Sequence, residues 1–315
     1  VQESFENGSR DRLNPPEVGR LRRTRLALRL LAAMAIAITF SAVATYLISA
    51  HPPGKSPEKI ARLFFIAGFL FAYGILGRSD RPKLAQAAAL TDLRSGRPLV
   101  ARGFAAGAGS LAVFLAVSVA LGWWAPLEHP DPWLKVLGRA AFYLPAGLFL
   151  ALWEEGLFRG VVFGDVARAA GPRAALWVST LLFGWSHLLG PLPGTSVAWD
   201  APNVGTAAIT ANFVGIAKVT DEWPKLLGLL LVGYVLARLR MRTGSAWLGV
   251  GVHAGWYYVQ QMDGRFLRFA VPEHDPLRMW SGSPEYADGV AGFTALWLTY
   301  LVARRFVPAA PEHRS

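Results

Sequence analysis

Residues 140–158 read AAFYLPAGLFLALWEEGLF. The stretch is apolar as far as Glu154 and Glu155, and its length is close to what an α-helix needs to cross the hydrocarbon core of a bilayer. Working outward from it, seven more apolar blocks appear, at about 30–49, 60–77, 103–125, 174–192, 225–241, 245–262 and 287–303. The expected fold is all-α, a polytopic membrane helix bundle with about eight transmembrane helices. Composition agrees: over 315 residues, 53% are hydrophobic and 17% are charged, against the roughly 25% charge of soluble domains. A single transmembrane domain is expected over 26–308, preceded by a flexible basic cytoplasmic tail at 1–25 and followed by a polar end at 309–315. The segment 201–220 is apolar but short and glycine-containing; if it crossed fully, every later span would invert.

The net charge of +11 has its explanation in placement. If the blocks alternate with the N-terminus inside, 21 Lys and Arg fall on that side and 10 on the other, with Arg159 inside a span. That bias places both termini in the cytoplasm. The basic residues flank spans, and no RRM, KH or zinc-finger pattern accompanies them, so nucleic acid is excluded as a partner. Membrane lipids are the expected surroundings. With no cysteine, the chain has no disulfide, thiol nucleophile or Cys-ligated metal. Arg outnumbers Lys 26 to 6, which points to GC-rich coding and a bacterial cytoplasmic (inner) membrane.

Ionisable groups inside a span are costly, so those present are candidates for function. Of the 21 acidic residues only Glu154 and Glu155 lie well inside the proposed spans, Asp288 falling at the very start of the last, and of the six histidines only His187 and His253. Glu155 and Arg159 are four apart on one helix face and suit an ion pair, while Glu154 points about 100° away. An unpaired carboxylate in apolar surroundings suits a general base; the same three residues could instead staple helices together. Gly156, Gly160 and Gly164 recur every four residues and offer a close-packing face. In Phe183-Gly184-Trp185-Ser186-His187, Phe183 lies one turn before His187 and can shield the imidazole. In the seventh block His253 and Tyr257 share a face, with Gln260 and Gln261 one turn further, a set of donors suited to an oxyanion or to interface anchoring. One expectation conflicts with a shared site. Counted from Arg139 and Arg173, Glu154 and His187 would differ in depth by roughly 10 Å, a gap that tilt or a start of the fourth span near Pro145 would close.

EExxxR, FxxxH and a later His-x-x-x motif, on successive membrane helices and in that order, resemble the CPBP family. This is the family of CAAX proteases and bacteriocin-processing enzymes, also called the Abi family, which includes the Ras-converting enzyme. The resemblance runs from about Leu137 to Met262, and the stretch from Arg242 to Leu248 leading into His253 is typical of it. It implies an intramembrane endopeptidase whose helices enclose a conical polar cavity and whose substrate is a membrane-anchored or signal-bearing polypeptide. By position, Glu154 would activate the hydrolytic water together with His187, His253 would help stabilise the oxyanion, and Glu155 and Arg159 would organise the site. The family usually has Asn or Asp where this chain has Tyr257, whose phenol can donate to an oxyanion, as can Gln260 or Gln261.

Glu154, His187 and His253 could also fill three positions of a catalytic zinc site. They lie on three helices without an HExxH pairing, so a metal-free, Glu-activated water is favoured and no cofactor is expected, a divalent metal such as zinc being the alternative. Two further classes compete: a non-catalytic scaffold or regulator that binds peptides, motivated by Tyr257, and a proton-coupled carrier using the buried Glu and His residues as a relay.

Overall fold

The computed structural model describes residues 15–306, apart from 53, 78–88, 91, 193–194, 215–216, 218, 220–221 and 287. The chain is a bundle of helices: α1 (Pro15–Ile48), α2 (Pro57–Leu76), α3 (Leu93–Ala120), α4 (Trp133–Glu155), a π-helical segment (Gly156–Val162), α5 (Phe163–Ala170), α6 (Pro172–Leu188), α7 (Val204–Val214), α8 (Trp223–Thr243), α9 (Trp247–Asp263), α10 (Arg278–Ser281) and α11 (Val290–Ala303). Among the described residues, four helical stretches are long and apolar enough to cross a membrane: Gly19–Ile48, Pro57–Leu76, Leu93–Ala120 and Trp133–Ala170. Helix already begins at Pro15, within the expected tail 1–25. Residues 1–14 of that tail, and the expected polar end 309–315, lie outside the described residues.

The breaks between helices follow local chemistry. Gly171 takes φ +87° and Pro172 opens the next helix, so α5 and α6 form a tight hairpin. Gly244 takes the left-handed conformation, φ +67°, and closes α8 by donating to Arg240 O. The α3 start is capped by the Asp92 carboxylate, which accepts from Arg94 N.

Contacts place the chain reversals at common ends. The start of α1 meets the end of α5 through Arg23 Nε and Ala169 O, and Tyr73 near the end of α2 donates to Asp165. Trp247 at the start of α9 abuts Gly96 at the start of α3, and Arg242 at the end of α8 donates to Arg304 O beyond α11. The basic segments counted on one side by sequence therefore share one end of the bundle wherever they are described. Helix α7 is only 11 residues long, about 16 Å, too short to span. It packs on α1, with Gly205 against Ala42, and α8 runs antiparallel to α6, Gly233 against Thr180 and Gly184 against Leu230.

Helices α3 and α9 pack closely over several turns. A Cβ at Gly103 would sit 2.4 Å from Leu248 O, and one at Gly251 would sit 2.2 Å from Val100 O, so only glycine permits this approach. Gly107 and Gly255 repeat the contact one turn on, so four glycines spaced by four on two helices form the close interface. Gly156 and Gly160, expected to serve such packing, lie buried in the π segment. Around the bundle, Leu28, Leu31, Phe71, Phe149 and Trp133 are exposed, the outward apolar surface of a membrane-embedded bundle. One departure from all-helical structure is a two-stranded antiparallel ladder, β1 (Trp124–Pro126) with β2 (Leu267–Phe269), pairing Trp124 with Phe269. It satisfies backbone groups of the connections outside the bundle.

Candidate active site

The sequence led us to expect Glu154 and His187 at different depths; the structure places them side by side, with Glu154 Oε2 4.0 Å from His187 Nε2. The count from Arg139 does not hold because it took that residue as the level at which the fourth span enters the bilayer. The helix runs on through the π segment to Ala170, so depth is set from the Gly171–Pro172 turn. From there Glu154 lies about 16 residues back and His187 about 15 residues on, equal depths at 1.5 Å per residue.

The π segment is held by its neighbours. Ser179 Oγ on α6 donates to Phe158 O at 3.0 Å, and Arg240 Nε on α8 donates to Arg159 O at 3.1 Å. Local π geometry in a helix concentrates at functional positions and leaves carbonyls for outside donors.

Glu155 and Arg159 form the expected pair, Nη1 to Oε1 at 3.2 Å, with both side chains 0% exposed. Arg159 Nη2 also donates to Gly233 O at 3.1 Å, and its guanidinium lies 4.3 Å from the centre of the Phe183 ring. A buried arginine is thus matched by a carboxylate, a carbonyl and an aromatic face. The link that spacing did not show is to His253: its Nδ1 sits 3.1 Å from the same Glu155 Oε1. Since a carboxylate only accepts, His253 carries hydrogen on Nδ1 and presents Nε2 elsewhere.

His187 is oriented in the same way. Its Nδ1 is 2.8 Å from Phe183 O one turn back, which again requires hydrogen on Nδ1. Phe183 lies against the imidazole, ring centres 4.4 Å apart, and edge-on to His253 at 6.1 Å. Both histidines therefore turn Nε2 toward Glu154 Oε2, at 4.0 Å and 3.9 Å. Those separations exceed direct hydrogen-bond length and suit one water bonded to all three. Glu154 is 19% exposed where Glu155 is fully buried, so the adjacent carboxylates divide into one facing a cavity and one facing the protein.

That cavity has a volume of about 420 Å³. Glu154, His187 and His253 form its polar end, and apolar side chains such as Leu111, Phe114, Leu229 and Leu296 line the rest. Tyr257 lines it too, its ring packed on Gly147 and 6.5 Å from that of Tyr143. Gln260 reaches the lining but donates to Glu285 O at 3.2 Å, and Gln261 is absent from the lining. Two lining residues were missed in the sequence: Lys225 on α8 and Glu285 in the connection before α11, joined at 2.5 Å. A lysine inside an apolar block was the available signal for the first; nothing in the sequence signalled the second.

Residues 136–259 match the family model of the type II CAAX prenyl endopeptidases, Rce1-like. This is the CPBP-type resemblance seen in the motifs, and the matched segment contains Glu154, Glu155, Arg159, Phe183, His187, His253 and Tyr257. Together with the long apolar helices, the match supports an integral membrane protein with the endopeptidase activity of that family. No curated protein and no solved structure matches the chain.

Proposed function

We propose that the chain is an intramembrane endopeptidase that hydrolyses a peptide bond in a membrane-anchored or signal-bearing polypeptide. The observation that carries the reading is the convergence of Glu154 Oε2 with Nε2 of His187 and His253 at the polar end of an apolar cavity. Water held there gives one proton to Glu154 as its oxygen attacks the scissile carbonyl, while its other hydrogen stays on the oxygen and donates a hydrogen bond to His187 Nε2, which fixes the attack direction. His253, protonated at both nitrogens beside Glu155, donates from Nε2 to the oxyanion, assisted by the Tyr257 hydroxyl. Glu154 then returns its proton to the leaving amine. Glu155 and Arg159 hold His253 in this orientation, as the carboxylate of a hydrolase triad holds its histidine.

The donor spacing bears on metal use. Two ligands of a tetrahedral zinc at ~2.1 Å stand roughly 3.4 Å apart, while two partners of one water at ~2.8 Å comfortably span 4 Å. The 3.9 and 4.0 Å separations favour water, and zinc would need both histidines to close in. If a divalent metal is used, Glu154, His187 and His253 are its ligands and it would polarise the water and carbonyl.

The reading includes eight crossings, made by α1, α2, α3, the helix from α4 to α5, α6, α8, α9 and α11, within one transmembrane domain spanning 26–308. Both termini are cytoplasmic in a bacterial inner membrane, in keeping with the shared end of the basic segments. The test is a comparison of protein N- and C-termini in membranes and medium from cells expressing the wild type or Glu154→Ala at equal levels. Termini absent from the variant identify substrates. Identical termini, together with rescue of a deletion phenotype by both forms, would favour a peptide-binding scaffold in which Tyr257 marks a lost active site.

A further inference from the structure

A second cavity, of about 370 Å³, lies at the end of the bundle where α1 meets α5. It is lined by Arg22, Arg25, Arg29, Arg168 and Asp165, with Leu26 and Ala169 completing its wall. Arg22, Arg25 and Arg29 follow spacings of three and four and so share one face of α1. The carboxylate is already used: Asp165 is buried, pairs with Arg29 at 3.5 Å and with Arg168, and accepts from Tyr73 Oη at 2.7 Å. Among the described lining residues, four guanidinium groups thus face one carboxylate. Like charges one turn apart on a helix repel, so an anion seated among them relieves a repulsion the fold otherwise carries.

We infer that this cavity binds a phosphate-bearing anion, and that its source is the headgroup of an anionic membrane lipid. Guanidinium groups take phosphate oxygens in pairs, which suits a converging set of arginines. The lipid source follows from position. The apolar block of α1 begins at about Leu30, directly after Arg29, and Leu28 and Leu31, on the same helix, are 61% and 67% exposed. A headgroup in the cavity would therefore have acyl chains beside an exposed apolar surface. Basic pockets between membrane helices at the interface are a recurrent form of headgroup recognition. Asp165 sits on the helix that carries Glu154 and Glu155, so an anion here also braces the far end of that helix.

The test uses the purified full chain in phosphatidylcholine nanodiscs, with and without about 20 mol% phosphatidylglycerol, a typical anionic fraction, and reads the melting temperature. A parallel arm adds inorganic phosphate against chloride at equal ionic strength. The wild type is expected to melt higher with phosphatidylglycerol. Arg22→Gln/Arg25→Gln, which leaves both Asp165 ion pairs in place, is expected to lose at least half of that shift while melting like the wild type in phosphatidylcholine alone. Arg304→Gln/Arg305→Gln, which removes two charges from the same end of the bundle, is expected to keep the shift. An equal loss in both double variants, or an undiminished shift in Arg22→Gln/Arg25→Gln, would overturn the site. A response to inorganic phosphate alone, with none to phosphatidylglycerol, would overturn the lipid source.

Discussion

Adjacent glutamates with opposite duties give the sharpest test. Glu154 makes no direct hydrogen bond through Oε2, its histidine neighbours standing 3.9 and 4.0 Å away. Glu154→Gln keeps its shape and removes no ion pair at contact distance, so its effect on stability is expected to stay within about 1 kcal/mol. If Glu154 is the base of the proposed mechanism, the substitution's effect on rate is expected to be large, because an amide cannot take the water proton; losing a general base costs about 10²–10⁴-fold. Glu155→Gln inverts the pattern in stability. It leaves Arg159, 0% exposed, without its carboxylate and frees His253 Nδ1 from its partner. Breaking a buried pair from one side costs about 3–5 kcal/mol, which corresponds to a melting-temperature loss on the order of 5–10 °C. The assay measures cleavage of a substrate found by the termini comparison, in proteoliposomes, beside a thermal melt of each variant in the same lipid. Retained turnover in Glu154→Gln, or a melting loss in it as large as that in Glu155→Gln, would refute this division of labour.

Other perturbations probe the surroundings. With no cysteine in the chain, a Leu296→Cys reporter in the cavity can be labelled alone. Adding Lys225→Met, which breaks the 2.5 Å pair with Glu285, should speed its reaction with a water-soluble maleimide several-fold; an unchanged rate would show that the pair does not restrict entry. Gly251→Ala pushes a Cβ against Val100 O at 2.2 Å and Phe104 N at 2.8 Å. It should cost about 3 kcal/mol or more by overpacking, while Gly109→Ala, with nothing within 4 Å, should melt no lower than the wild type. Tyr257→Phe should lower kcat by about 10²-fold if its hydroxyl serves the oxyanion, with Tyr257→Asn retaining more activity than Phe; equal activity of Phe and wild type would reduce Tyr257 to packing. Outside the spans, the hydrogen bond from Lys135, with Arg139 and Arg265 nearby, holds the Asp131 carboxyl below its ordinary range. Its contribution is then present above the unfolded value of about 4 and lost as pH falls through the lower folded value. The melting-temperature gap between wild type and Asp131→Asn should accordingly be constant near neutrality and close in acid.

The sequence showed what lies within one helix and hid what lies between helices. Glu155 with Arg159, and Phe183 with His187, were legible because residues four apart must meet. Glu155 with His253, and Lys225 with Glu285, join segments 98 and 60 positions apart, and no period points from one to the other. The close glycine pairing had a sequence trace in both helices, Gly103 with Gly107 and Gly251 with Gly255, yet only the fold shows that these sets face each other. Meanwhile the similar run at 156, 160 and 164 falls largely in the π segment. The fourth helix runs on past the apolar block 140–158 to Ala170, through an arginine that the sequence already placed inside a span. Once it is neutralised by Glu155 and covered by Phe183, an arginine ends nothing.

That continuation bears on how the site works. Glu154 and His187 are brought level by the Gly171–Pro172 hairpin because they lie nearly equally far from the turn along its two arms, so their register depends on the arms not slipping. The π segment lies on one arm between the hairpin and Glu154, and its carbonyls at Phe158 and Arg159 are tied to Ser179 and Arg240. Ser179 belongs to the opposite arm and Arg240 to α8, so the depth of Glu154 is fixed against both neighbours within two turns of the carboxylate. The third member reaches the same level by another route, His253 being bound to Glu155, the residue after Glu154. Each histidine is therefore positioned by a bond that involves neither Glu154 nor the other histidine. The gap of 3.9 to 4.0 Å around Glu154 Oε2 is set by the scaffold and not by attraction among the three groups, which is the preorganisation that hydrolysis by a bound water requires.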